Sequence, residues 1–397
     1  MKKESVKKYS LFAVSMIVGA FAGWQMVSIG SRIEIPSQFT SLPVYINIIL
    51  VLLTYFVAVA FHEFGHAYSF TKNGIKMRAV VVMWLFFMKE KNRWVVKFRP
   101  NNLTVIGGVA IPDVGPVKSE QEIDEKQQAL AKALIAGPYS SIILWLGTTI
   151  IALPVMLISN NAILTSTLFT ITISLTLITL ILLFNILFKN EVAVGDFPAY
   201  KLAKTNRFFV EMQLYQYALY STDHEQVREE NEYLRSVVMK SLQEKVKARK
   251  TDIFTLGPLD MLLIEHLSGR IKELPVEIVD YIHFLTDSRE NLAKLKSNDL
   301  LLPIYFHVVY YLYGQDETRE VALSLYEEVK EEIKPKTPLR KYLFKQAEHL
   351  LGIADHKEYL LNKENICTSA AHGLLKNFDG FYVDELLING TEKPRPL

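Results

Sequence analysis

Cysteine is almost missing from this chain: Cys367 is the single one among 397 residues. One thiol can form neither an internal disulfide nor a cysteine-rich zinc site, and its isolation agrees with a reducing compartment for the C-terminal half. An excess of either charge is missing too. Forty-four Lys and Arg stand against 42 Asp and Glu, leaving +2, so nucleic acid is not expected as a partner. Tryptophan is absent beyond Trp145, and the stretch after about Tyr200 is charged and helix-patterned. Before it the sequence is dominated by long apolar runs. The overall composition therefore describes neither half.

Four of those runs are long enough, at roughly 20 residues each, to cross about 30 Å of hydrocarbon. They are Tyr9–Gly30, Val44–Phe70, Ala133–Ile158 and Ala162–Phe188. The last has no ionisable residue before Lys189 and is rich in Thr, Ile and Leu, a content acceptable for a helix in lipid. The first has a basic start and Ala20-Phe21-Ala22 as a cleavage motif, as a signal peptide would. Its apolar stretch runs on through Trp24 and Val27, which favours an uncleaved anchor. Lys and Arg crowd the N-terminal flank, the connection from Thr71 to Lys132 and the stretch after Lys201, while the connection around Ser31–Pro43 has only Arg32. By the positive-inside rule the N terminus, the long loop and the C-terminal half lie in the cytoplasm, in a multi-pass protein of the cell membrane. Within that loop Ala79–Met88, AVVVMWLFFM, is too short to span and reads as a strand or re-entrant piece against the membrane.

The chemistry concentrates in Phe61-His62-Glu63-Phe64-Gly65-His66, at the cytoplasmic end of the second run. On a helix, positions i and i+4 share a face, so His62 and His66 are placed to hold one zinc ion. Glu63 beside them is placed as the base that takes a proton from water activated there. Coincidence is the alternative. Three ionisable residues in the last turns of an apolar helix are costly without a function, which argues against it. A hydrolytic zinc site needs a third protein ligand and an open position. Asp196, just past the fourth run in Gly195-Asp196-Phe197-Pro198, and Glu191, five residues earlier, both qualify. A turn or capping role for Asp196 is the plainer meaning of an Asp near Gly and Pro. Two histidines and a carboxylate would also suit iron.

These residues resemble the site-2 protease family of intramembrane zinc metalloproteases. His62-Glu63-Phe64-Gly65-His66-Ala67 with Asn73-Gly74 resembles its active-site helix and following turn. Gly107-Gly108-Val109-Ala110 resembles its Gly-Gly strand motif, and Ala136-Gly137-Pro138 its Ala-Gly-Pro motif. The resemblance covers about residues 44 to 200 and favours Asp196 over Glu191 as third ligand. It implies one Zn2+ per chain and substrates that are membrane-spanning proteins or peptides in the lipid bilayer, cut near the cytoplasmic face. A strand around Gly107 and Gly108 would then hold the unwound substrate by β-addition, although a tight turn is the commoner meaning of Gly-Gly. Phe197 stands where the family has Gly, and Asn185 lies eleven residues before Asp196, where the family's Asn lies about eight. Asn185 interrupts an otherwise apolar helix end and is the expected substrate-binding Asn, with a backbone-bonded helix terminus as its plain alternative.

The expected fold is thus an α-helical polytopic membrane protein with about four transmembrane helices and a small membrane-associated β element, followed by a mostly α-helical cytoplasmic domain. Residues 1–42 form an anchor and short external loop, 43–200 the protease core and 201–397 the cytoplasmic part. In the last, Leu302–Tyr313, Glu317–Ile333 and Arg340–Leu351 read as amphipathic helices, and the remaining histidines, His307 among them, lack ligand spacing. This half is expected to recognise a substrate, partner or regulator. Two other functions remain open. A non-catalytic receptor or immunity-type protein would keep the fold without needing Glu63, and an HExxH endopeptidase of the heat-shock or prenyl-protein type would take Glu191 as ligand. Transport lacks the paired interrupted helices it needs.

Overall fold

The computed structural model describes residues 36–90, 93–99, 107–187, 194–369 and 372–390. The first expected span, Tyr9–Gly30, and Glu191 lie outside them. Three described helices are long and apolar enough to cross a membrane. These are α1 (Val44–Lys72), α2 (Glu120–Ile158) and α3 (Ala162–Ile186). The described residues fall in two compact units, one taking residues up to Ala58 with Ile143–Leu180, the other Val59–Ile142 with Ile181 onward.

In the first unit, Ile48, Leu52, Ile150, Ile151 and Ile158 all stand exposed. Large apolar side chains at that density are tolerated in lipid and not in water. Polar groups are used internally instead. Thr170 donates to Asn47 Oδ1 at 2.7 Å and Trp145 Nε1 to Thr176 Oγ1 at 2.9 Å, bonds that hold helix to helix where water is scarce.

The second unit holds the end of α1, a four-stranded sheet, the first half of α2 and the C-terminal helices. Asn73-Gly74 ends α1: Gly74 takes φ +80°, and Ile75 N–H reaches back to Phe70 O at 3.0 Å, closing a glycine C-cap. The sheet has the order β3-β2-β1-β4, from β1 (Lys76–Val82), β2 (Leu85–Glu90), β3 (Arg93–Phe98) and β4 (Gly108–Asp113), all antiparallel where they pair. The apolar run Ala79–Met88 is therefore two strands rather than one. The chain reverses at Met83-Trp84, with Met83 at φ +54° and Val82 paired to Leu85. No Gly or Asn marks that turn, so the sequence conceals it.

Beyond α4 (Asp196–Thr205) the unit is helical, with a core centred on Leu302–Gly314. Every side chain from Leu302 to Leu312 is buried, so this helix is a central rod and not the amphipathic element its sequence suggests. A buried ion cluster ties the helices His224–Glu230, Ile253–Leu267 and Gly380–Gly390 together. Arg228 bonds Asp384 at 2.7 Å and Glu265 at 3.0 Å, and Arg270 reaches Asp384 at 2.6 Å.

Candidate metal centre

Two side chains four residues apart on α1 meet a third from 134 residues beyond the first at the end of that helix. His62 Nε2 lies 3.1 Å from His66 Nε2 and 3.0 Å from Asp196 Oδ2, and His66 Nε2 lies 3.6 Å from the same oxygen. The histidines are buried because the last turns of α1 are covered by the sheet and by α2. Asp196 arrives from the opening of α4, where Gly195 precedes it and no side chain caps the helix. An acidic group in a first helical turn is favoured by the helix dipole. Here its carboxylate is turned to the imidazoles. Burial alone would raise the Asp196 carboxyl, but hydrogen bonds from His62 and His66 hold it well below the usual carboxylate range.

The far side of each ring is fixed. His66 Nδ1 lies 2.7 Å from Ala133 O and donates to that carbonyl, so when Nε2 gives up the proton it shares with Asp196 the ring becomes the Nδ1–H tautomer, with its Nε2 lone pair turned to a metal. His62 Nδ1 lies 3.0 Å from Ser141 Oγ, a distance that suits the same tautomer. Two donors bound at about 2.0–2.1 Å to one tetrahedral ion would sit roughly 3.3 Å apart. The three observed separations bracket that value, and these atoms form a group able to hold a metal ion.

Close backbone approach builds this arrangement, and three glycines permit it. A Cβ on Gly137 would fall 2.3 Å from His66 Nε2. One on Gly65 would fall 2.1 Å from Ser140 Oγ and 2.9 Å from Ala136 O, where α1 and α2 pack nearly backbone to backbone. One on Gly108 would meet Glu63 Cγ at 2.3 Å and Val81 O at 2.6 Å. The start of β4 thus presses on the buried Glu63, next to His62 in sequence and about one turn before His66.

Of the residues singled out by sequence, His62, Glu63, His66, Asp196 and Gly108 are brought together. Gly107 sits at the turn before β4, its carbonyl accepting from Met83 N–H at 2.9 Å, with open space around it. Asn185 lies in the last turn of α3, and its side chain is outside the described residues. Ala133, Ser140 and Ser141 were not singled out. Their signal was the spacing around the Ala-Gly-Pro motif: Ala133, Gly137 and Ser141 recur every four residues and so share the face of α2 that meets the histidines.

A membrane-length helix ending in two histidines and a buried glutamate, with a carboxylate closing the donor set, is a candidate metal centre. The profile of Peptidase family M50 matches residues 48–346, most of the chain. The chain belongs to this family, that of the site-2 proteases, whose members typically use zinc. No curated protein and no solved structure matches it.

Proposed function

We propose that this protein is an intramembrane zinc metalloendopeptidase cutting membrane-embedded or membrane-adjacent helices near the cytoplasmic face. The observation that carries the proposal is the convergence of His62, His66 and Asp196 beside a buried Glu63. Zinc, when bound by the three, supplies Lewis-acid chemistry that polarises a carbonyl and acidifies water.

The chain's own residues do the rest. Glu63 takes the proton of the attacking water and returns it to the leaving amine. Its carboxylate is held in position by the start of β4, which only glycine at 108 allows. A membrane helix hides its peptide groups in its own hydrogen bonds, so it must unwind before it can be cut. In this proposal β4, at the edge of the sheet, takes the unwound segment as an added strand. The orientation follows the positive charges: N terminus, long loop and helical half on the cytoplasmic side, with four spans in all. Processing of a membrane-bound peptide or signalling precursor fits such a site.

The test compares purified wild type with Glu63→Gln in detergent, measuring bound zinc and cleavage of a panel of membrane-peptide precursors. Zinc in both with cleavage by wild type alone is the expected result. Absence of zinc from both would refute the metal site and favour a non-catalytic receptor. Asp196→Ala is expected to lose zinc while Glu191→Ala keeps it; the reverse would point to the heat-shock or prenyl-protein type.

A further inference from the structure

Asp196 has a second environment. Besides facing the histidines it lines a cavity of about 600 Å³ that runs into the helical half, a volume typical of ligand sites. Its walls there are apolar and adaptable: Phe208, Phe209, Met212, Phe254, Met261 and Phe381. Gly257 also lines it, and a Cβ added there meets no atom within 4 Å, so part of the wall is built from a missing side chain.

The polar end of the cavity is acidic. Asp260 and Glu385 both line it, and between them lies buried His307, 2.6 Å from Asp260 Oδ1 and 3.9 Å from Glu385 Oε1. Glu385 also accepts from Tyr342 and Gln346, each at 2.7 Å. Even with His307 protonated, two carboxylates against one imidazolium leave net negative charge at this end.

We propose that this cavity is the docking site for the basic juxtamembrane segment of the substrate, an apolar stretch carrying Lys or Arg whose cation pairs with Asp260. The proposal rests on the hydrolase reading above. Two features favour this occupant. Asp196 is common to both, lining the cavity while its carboxylate meets His62 at 3.0 Å, so a chain held in the cavity lies beside the metal centre. The cytoplasmic flank of a membrane helix is also where Lys and Arg concentrate, matching the acidic end.

The test uses full-length Glu63→Gln in detergent, loaded with zinc, and fluorescein-labelled peptides read by anisotropy. Phe-Leu-Lys-Lys-Phe is expected to bind at least tenfold more tightly than Phe-Leu-Glu-Glu-Phe. Adding Gly257→Phe, which fills the cavity, is expected to weaken the lysine peptide at least tenfold, while Gly257→Ala keeps its affinity. Asp260→Asn is expected to shrink the charge preference. Equal affinity for the two peptides, or an affinity indifferent to Gly257→Phe, overturns the proposal. So does a labelled acyl chain that binds, sensitive to Gly257→Phe, when neither peptide does. Because Glu63→Gln does not cut, binding is read apart from hydrolysis. Wild type that binds as expected but cleaves nothing would remove the hydrolase reading and leave the docking site.

Discussion

Gly108→Ala tests how the base is held. The added methyl carbon would lie 2.3 Å from Glu63 Cγ, where ordinary contact begins at 3.4 Å, so about 1.1 Å must be found. The other neighbour, Val81 O at 2.6 Å, is backbone of the paired strand, so the start of β4 must also shift, and Glu63 loses the contact that holds it. Glu63 therefore moves. A misplacement of roughly 1 Å at a reacting group lowers rate on the order of 100-fold, or about 2.7 kcal/mol of transition-state stabilisation. The assay is kcat/KM on a membrane-helix peptide cut by the wild type, with zinc content and thermal melting measured on the same samples. Zinc is expected to stay near one per chain, because the three ligands are not touched. Melting is expected to fall modestly, since overpacking costs about 1–3 kcal/mol. Gly107→Ala enters open space and should leave zinc and melting at wild-type values. Gly108→Ala enzyme within threefold of wild-type kcat/KM would refute the claim that this strand positions Glu63.

Ser141→Ala removes the partner of His62 Nδ1 and is expected to weaken zinc affinity by about 10- to 100-fold, as read by chelator competition. Arg228→Met leaves Asp384 with Arg270 alone and Glu265 with Arg235 alone, and is expected to destabilise the helical half by about 1–3 kcal/mol in denaturant unfolding. His307 adds a pH dependence. Burial would lower its pKa, but the adjoining Asp260 and Glu385 carboxylates hold it above the ordinary value. A raised folded pKa means stabilisation that is complete below about pH 6.5 and lost as pH rises through the folded value. Melting temperature is thus expected to fall over that window in wild type and to flatten in His307→Gln.

The two histidines and the glutamate were legible because helical spacing is local: four residues fix a shared face without knowledge of anything else. Asp196 was legible only as one of two acids, since 134 residues separate it from His62 and their meeting is a tertiary event. The supports of the rings on α2 left a trace in the four-residue recurrence of small residues, which packing alone could turn into a role. The hairpin at Met83-Trp84 left none, because a non-glycine residue in the left-handed region carries no compositional mark. The Leu302–Gly314 helix, expected to be amphipathic, has no polar face because the polar atoms of its tyrosines and histidine find partners inside the core. Tyr305 donates to Leu325 O at 2.7 Å, and His307 meets Asp260.

The length of α2 has a mechanical consequence. Its first 23 residues, Glu120–Ile142, lie within the second unit. Near one end Glu120 and Asp124 grip Arg207, at 2.5 and 2.7 Å; further along, Ala133, Gly137 and Ser141 seat the two imidazoles. From Glu120 to Ser141 is about 32 Å at 1.5 Å per residue. Levered about one end, a tilt of only about 2° moves the other by roughly 1 Å, the displacement that matters at a reacting centre. A load applied at the Arg207 grip is thus geared directly to the jaws that hold the histidines.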